Sequence, residues 1–500
     1  MTSLSLASVL AEPARRRPGH TALVEGAARL SYARLWQDAR AVAAARADLG
    51  FGPGDRVALL APNVADFVRS YYGILAAGAV VVPVPTLLTE DEAAYILRDS
   101  GAGLLLRHHQ FAALGDAAAR AAGIPARDMA GLGEDHTPFG TFVTRQAEDL
   151  AVVFYTSGTT GTPKGAMLTH LNLVMNATVN AFDSNWLSPD DVVMGSLPLF
   201  HTFGQSAMLN AAFRVGATVV LQPRFDAPAA IELMAREGAT RFRGVPTMFI
   251  QLLRAAPGAA ELPRLTSCTS GGAALPVAVL EEFERVFSTV IYEGYGLSET
   301  SPTATVNQPD FGTRPGTIGH PIWGVEAEIA DADVTGQIKL LPAGEVGEVV
   351  VRGHNVFAGY LNRPEATAEV MTDGWFRTGD LGTKDSEGFL AIVDRRKDLI
   401  IRGGFNVYPR EIEEVLARHP DIAQVAVIGL PDAERGEEVC AVVVPAAGRE
   451  IDTDALLAWG KERLAGHKYP RVVHVLPELP MGPSAKVLKR ELRTRFSPPA

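Results

Sequence analysis

Two cysteines, Cys268 and Cys440, are all that 500 residues contain. They stand too far apart in sequence to read as a disulfide framework or a thiolate metal site, and so sparse a thiol content suits a reducing compartment, the cytoplasm. No run of about 18 apolar residues occurs, so no membrane-spanning helix is expected. The first residues, Met1 to Glu12, carry no basic stretch ahead of a long apolar one, and no targeting segment is expected either. An excess of positive charge is also missing. The chain has 46 Lys and Arg against 57 Asp and Glu, a net charge of -11, which disfavours nucleic acid or an anionic membrane as partner. An anionic substrate would have to be held by local devices rather than by the overall field.

What the chain does have is apolar content, 47% of its residues, enough for more than one core and so for a large catalytic body with a smaller appendage. From about Leu30 to Thr300, short apolar runs alternate with longer amphipathic segments, the pattern of strands and covering helices in layered α/β structure. Val57 to Leu60 is a predicted strand and Phe67 to Ala76 the helix after it. Val192 to Leu197, Ala217 to Leu221 and Thr289 to Glu293 are predicted strands leading into polar or Gly-rich loops, where such sheets carry their chemistry. From Val325 to Val351, short runs with turn residues at Asp331, Gly336 and Gly344 predict antiparallel pairing in a small β-barrel-like subdomain. The charged cluster Asp394-Arg395-Arg396-Lys397-Asp398 precedes an α+β pattern that includes a predicted helix from Arg410 to Arg418. The expected division is therefore a catalytic domain over 1–393, a hinge at 394–398 and a small mobile α+β domain over 399–500.

Ala151 to Tyr155 is a strand candidate that runs into Thr156-Ser157-Gly158-Thr159-Thr160-Gly161-Thr162-Pro163-Lys164-Gly165. Glycines let backbone N–H groups turn toward an anion, the hydroxyls add donors, and Lys164 supplies a charge suited to β- and γ-phosphates. No Gly-Lys-Ser/Thr triplet closes the loop, so it is not a Walker loop; a flexible Gly/Thr linker is the plainer alternative. In this loop the chain resembles the adenylate-forming superfamily of acyl-CoA synthetases, nonribosomal-peptide adenylation domains and beetle luciferases, and the resemblance continues in order. Pro198-Leu199-Phe200-His201-Thr202-Phe203-Gly204 resembles the wall of the acyl pocket, and Ser270-Gly271-Gly272-Ala273 the loop beside adenine. Tyr295-Gly296-Leu297-Ser298-Glu299-Thr300 is similar to the segment that joins base, phosphate and metal.

The resemblance implies that ATP is held by Thr156, Ser157, Gly158, Thr159, Thr160, Gly161 and Lys164 together with Gly271, Gly272, Ala273, Glu293, Gly294, Tyr295, Gly296 and Ser298. Tyr295 would pack on adenine, Ser298 would bond the α-phosphate, and Glu299 would ligate a magnesium ion, roles that suit a π face, a donor and a hard oxygen. Arg377-Thr378-Gly379-Asp380-Leu381-Gly382 resembles the ribose-binding turn, with Asp380 as ribose ligand and Arg395 as a second contact to ribose or phosphate. Lys397 occupies the hinge position, and Gly403-Gly404 the place where the pantetheine arm of coenzyme A passes close to the backbone. Taken singly, these residues would read as a core aromatic, a solvated charge run and an ordinary turn. Leu479-Pro480-Met481-Gly482-Pro483-Ser484-Ala485-Lys486 resembles the loop of the adenylation lysine, Lys486. Ala485 stands where the family generally has Gly, and Lys489 and Arg490 are neighbouring cations.

The implied reaction has two halves. A carboxylate attacks the α-phosphorus of ATP and pyrophosphate leaves; the thiol of coenzyme A then attacks the adenylate carbonyl and AMP departs, with the small domain rotating between the steps. Lys164, Lys486, Glu299 and His201 are the expected catalytic residues. Amino-acid-activating relatives place an Asp in the pocket wall, and Phe200 to Gln205 contains no carboxylate to pair a buried ammonium. The acyl pocket is expected to use His201, Phe203, Gly204, Gln205, Met208, Val245, Met248, Gly271 and Gly296, and to take a medium- or long-chain fatty acid in preference to an aryl acid. Enlarging Gly204 is expected to shorten the acid accepted. Three alternatives stand beside a fatty acid-CoA ligase: an aryl-acid CoA ligase, a fatty-acyl-AMP ligase that loads a carrier protein, and a non-catalytic adenylate-binding paralogue. The carrier-loading relatives typically carry an insertion in the later part of the large domain, and none is evident in the compact run from Arg352 to Asp398; a non-catalytic paralogue could dispense with Lys164, Glu299 or Lys486, all of which are present. A homodimer is compatible with all of these readings.

Overall fold

The computed structural model describes residues 3–156, 162–432, 434–482 and 487–497. Their strands form four sheets of nine, six, five and five strands. The apolar runs become the strands Arg56–Leu60, Leu150–Thr156, Val192–Gly195, Thr218–Leu221 and Ile291–Gly296, and Ala65–Ala76 is the helix after the first of them. In the six-stranded sheet, Arg56–Leu60 pairs in parallel with Val80–Pro83 and Leu104–Arg107. Parallel strands covered on both faces read as unbroken apolar runs, as these do. Leu150–Thr156 then doubles back on Lys164–Thr169 in an antiparallel pair that sets Thr156 opposite Lys164. The two described ends of the phosphate-loop motif therefore lie opposite each other on paired strands.

In the nine-stranded sheet, Val192–Gly195, Arg241–Gly244, Ser267–Ser270 and the start of Ile291–Gly296 run parallel. Their carboxyl ends deliver His201, Gly271 and Tyr295 to one edge, the position at which such sheets bind ligands. Val57 and Val152 of one large sheet and Val193 and Phe242 of the other belong to the same apolar core, so the two sheets share a single interior.

Val325–Ala330, Gly347–Gly353, Trp375–Lys384 and Leu390–Arg395 pair antiparallel, as the change of pattern predicts. The ribose motif is not a turn, however: Arg377 to Gly382 lies within the strand Trp375–Lys384. Gly379 at φ 74° and a register shift between Leu381 and Gly382 make that strand irregular and set Asp380 opposite Arg395. The chain leaves this sheet through the 3-10 turn Arg396–Asp398 and enters the fourth sheet at Ile400–Arg402. There Val439, Ala441 and Val443 join a core with Ile412 and Leu456 on one face, while Cys440, Val442 and Val444 join Leu476 and Leu492 on the other. The two-residue period buries both faces within residues 400–496. The helix foreseen from Arg410 is Pro409–Leu416, with proline at its first turn. Both cysteines are free and buried, and burial pushes each thiol up to about 12. Among the described residues no helix is long and apolar enough to cross a membrane.

Candidate functional site

One cavity of about 2430 Å³ gathers Thr156, Lys164, His201, Gly271, Tyr295, Glu299, Asp380, Arg395 and Lys397, with Met481, Gly482, Val487 and Lys489 of the C-terminal sheet domain on its far side. Ser157, Gly158, Thr159, Thr160, Gly161 and Lys486 lie outside the described residues.

At one end three foreseen residues form a chain. Tyr295 Oη donates to Asp380 at 2.6 Å, and Arg395 Nε lies 3.1 Å from the other Asp380 oxygen. Burial, then the charge of Asp380, holds the Tyr295 phenol well above its ordinary value, and the same carboxylate raises Arg395. The strand beneath is braced by Arg377, whose Nη1 donates to Glu348 at 2.5 Å, and by the Gly379 N–H, which donates to the other Glu348 oxygen at 3.0 Å. Asp380 is thus a rigid carboxylate facing the cavity beside an aromatic ring. Gly296 is close-packed there, because a β-carbon would overlap the Pro302 carbonyl. At Gly271, a β-carbon would lie 3.2 Å from the Phe203 ring.

A second group surrounds Glu299, a buried carboxylate that accepts from Tyr360 Oη at 2.8 Å and from Thr156 Oγ1 at 3.5 Å. The Lys164 ammonium lies 5.2 Å from the centroid of the Tyr360 ring, within cation–π reach. Burial first, and the Glu299 charge second, raise the Tyr360 phenol. Tyr360 escaped the sequence reading, since it sits far from every motif and carries no spacing signal. Among the described residues no cluster of three or more metal-ligating side chains exists. Magnesium characteristically takes one or two carboxylates and completes its shell with phosphate oxygens and water, so a lone buried Glu299 fits that ion and would not fit a zinc cage.

On the acyl side, His201 lines the cavity and its Nδ1 accepts from the Phe203 N–H at 3.2 Å; Ser298 Oγ accepts from Thr202 Oγ1 at 3.1 Å. The helical segment Phe203–Asn210 turns only Phe203 and Ala207 into the cavity. Gly204, Gln205 and Met208, expected in the pocket, fall on its other side. Gly204 packs on the Pro198 backbone, Gln205 donates to the Leu199 carbonyl at 3.0 Å, and Met208 joins the main core. Val245 and Met248 are likewise core residues, and Thr247, Ile250 and Arg254 face the cavity in their place. That spacing along Pro246–Ala255 is the helical period, a signal that was available in the sequence. The expectation for Gly204 changes accordingly. Gly204→Ala should destabilise the fold by about 1–3 kcal/mol through overpacking and leave acyl preference alone; a shift in preference without a lowered urea midpoint would contradict this. Gly403 and Gly404, at φ 57° and 81°, form an exposed hairpin turn and do not line the cavity.

Glu293 also reaches the cavity. One of its oxygens accepts from the Leu275 N–H at 3.0 Å, and the other is buried with no partner among the described residues. Burial pushes its pKa up to about 7, opposed by the Leu275 N–H and Arg410 and reinforced by Glu414. A raised carboxyl pKa contributes stability that is complete below the ordinary value of 4.5 and is lost as pH rises through about 7. Wild type should therefore lose stability relative to Glu293→Gln across that window, by at most about tenfold in folding constant per pH unit. Urea midpoints of both proteins through the window check it, and a constant difference would remove Glu293 as the cause.

Comparison with known proteins places this geometry. Residues 10–361 match the family model described as AMP-binding enzyme, and residues 411–486 match its C-terminal domain. The chain is 36% identical to a long-chain-fatty-acid–CoA ligase of Bacillus subtilis, over 98% of this chain and 94% of the relative. It is 38% identical to a feruloyl-CoA synthase of an Amycolatopsis species, over 99% and 100%. The crystal structure of ATP-bound MatB from Rhodopseudomonas palustris superposes with a TM-score of 0.91 at 33% identity, covering 98% of this chain and 99% of that one. With one cavity joining the Tyr295–Asp380–Arg395 chain to the Glu299 group, and with both family models matched in order, the chain belongs to the AMP-binding enzyme family, as an ATP-dependent acyl-CoA ligase.

Proposed function

We propose that the acid this ligase activates is aliphatic, a medium- or long-chain fatty acid in the reading of its sequence, and that the residues gathered in the cavity divide the work by position. The observation that carries the division is that the Tyr295–Asp380–Arg395 chain, the Glu299 group and the Phe203 wall open on the same space. Adenine packs on Tyr295, and Asp380 exchanges its Tyr295 hydrogen bond for the ribose hydroxyls. Lys164 meets the outer phosphates, Ser298 the α-phosphate, and His201 borders the reacting carboxylate. Glu299 would hold a magnesium ion, which would supply positive charge as pyrophosphate leaves. Phe200, Phe203, Ala207, Ile250 and Val306 give the acyl wall its apolar character, which suits a hydrocarbon chain, and the Bacillus relative is named for such acids.

Residues 399–500 are the unit proposed to move, about a pivot at Lys397. Its two-faced core and the three-residue turn before it support independent motion. In the placement seen, Gly482 and Val487 bring both ends of the Lys486 loop to the cavity while Gly403 and Gly404 face solvent. Rotation would exchange them, delivering the lysine for adenylation and the glycine turn for coenzyme A. The test is AMP and pyrophosphate release dependent on both coenzyme A and magnesium, across a panel of acids in a cytoplasm-like reducing buffer. ADP and phosphate as products would sink the reading.

A further inference from the structure

Arg243 lies on the strand Arg241–Gly244, is 2% exposed, and lines the cavity. Strand alternation puts it on the same face as Arg241, with Phe242 on the other face in the core. The two arginines meet different fates. Arg241 is fully engaged: Nε donates to Asp191 at 2.9 Å, Nη1 to Ser267 at 2.6 Å, and Nη2 to the Trp186 carbonyl at 3.2 Å. Both terminal nitrogens of Arg243 are buried with no hydrogen-bond partner among the described residues. The Ser270 hydroxyl, one strand over and lining the same cavity, is also buried without a partner among the described residues.

Burial lowers Arg243 to about 9, with repulsion from Arg241 adding to the shift and Asp191 opposing it, so the side chain stays charged at neutral pH. Asp191 attracts Arg243 but is already bonded to Arg241 and Thr240, so the buried guanidinium keeps both terminal nitrogens unpaired among the described residues, a costly state that an anionic ligand would relieve. Guanidinium is a planar fork of donors that matches a carboxylate or sulfonate. Thr269 is the neighbour of Arg243 across the sheet, and the strand of Thr269 and Ser270 runs on to Gly271, where an added β-carbon would lie 3.2 Å from the ring of Phe203, a residue of the proposed acyl wall.

We infer that the acid carries a second anionic group, remote from the carboxyl that is activated, and that Arg243 binds it. The inference rests on the acyl-CoA ligase reading above and changes one feature of it: the far end of the aliphatic chain bears a carboxylate or sulfonate in place of a methyl group. Arg243 then acts in specificity, since it touches the end of the substrate that does not react.

The experiment measures kcat/KM for coenzyme A-dependent AMP release with matched sets of acids: monocarboxylates, α,ω-dicarboxylates and ω-sulfonates of equal chain length. Wild type and Arg243→Met are compared, methionine keeping the length while removing the charge. Wild type should favour the dianionic acids over their monoanionic counterparts by roughly 100-fold, the effect of pairing a buried charge. In Arg243→Met that preference should collapse, with turnover of monoanionic acids rising and the KM for ATP unchanged. The dicarboxylate and sulfonate arms identify which anion is bound. Should the variant fail to fold, the wild-type ratio decides alone. Equal or better use of monocarboxylates by wild type overturns the assignment and leaves Arg243 satisfied by ordered water. No AMP from any acid overturns the ligase reading itself, a separate result.

Discussion

Replacing Glu299 with glutamine is expected to lower magnesium-dependent AMP formation by about 100- to 1000-fold, the loss typical when one preorganised charge-stabilising group is removed. The carboxylate is already buried and oriented by Tyr360 Oη at 2.8 Å and Thr156 Oγ1 at 3.5 Å, so nothing needs to move for it to accept a cation. An amide keeps the shape and one acceptor oxygen but surrenders the charge, which makes it a poor ligand for a hard divalent ion. Its NH2 group would also face the Lys164 side of the cavity as a donor among donors. Nucleotide affinity should change little, because the Tyr295–Asp380–Arg395 chain, proposed to receive base and ribose, is separate from Glu299. Binding of ATP without metal, measured beside turnover with graded magnesium, separates the two contributions. A variant whose ATP affinity falls as far as its turnover would place Glu299 in nucleotide binding instead.

The body of the fold was legible because its strands are buried on both faces: Val57 to Leu60 and Ala151 to Tyr155 announce themselves as unbroken apolar runs. The site was legible where its chemistry is local in sequence. Tyr295, Ser298 and Glu299 lie within one short segment, and Asp380 and Arg395 within neighbouring motifs, so a resemblance carried by motifs brings them along. What failed did so for physical reasons. Arg377 to Gly382 has the Gly and Asp of a turn, but its cross-strand partner is the run ending at Arg395, and pairing overrides local composition. The resemblance to a pocket wall brings Gly204 and Gln205 into the acyl site and apolar character adds Met208, yet a helical segment shows a cavity only one face in each turn. Tyr360 and Arg243 were invisible for a further reason. Each is a single side chain made important by what lies across the cavity from it, and sequence spacing does not encode that neighbour.

Lys486→Ala should split the two half-reactions. Both described neighbours of its loop, Gly482 and Val487, line the cavity that holds the Glu299 group, and Lys489 on the same stretch is fixed by Glu413 at 2.7 Å. That second lysine is already committed: burial pulls its pKa down, but Glu413 and Asp394 outweigh the burial and hold it charged. It is therefore a structural cation of the small domain and a poor substitute for Lys486 at a phosphate. Lysine is a compact charge on a flexible stem that can follow the phosphate as negative charge builds, and losing such a contact removes a few kcal/mol of transition-state stabilisation, about 100- to 1000-fold in rate. Adenylate formation, read as pyrophosphate exchange, should fall by that factor. Given preformed acyl-adenylate, the same variant should pass the acyl group to coenzyme A at close to the normal rate, because the placement proposed for thioester formation turns the Lys486 loop away and brings Gly403 and Gly404 in. The glycine turn provides the control. Gly404 stands at φ 81° with no neighbour within 4 Å of an added β-carbon, so Gly404→Ala strains the turn without a clash and should impair thioester formation while sparing pyrophosphate exchange. If Lys486→Ala lost both halves equally, the small domain would have one working placement, and the exchange of lysine for glycine turn would be wrong.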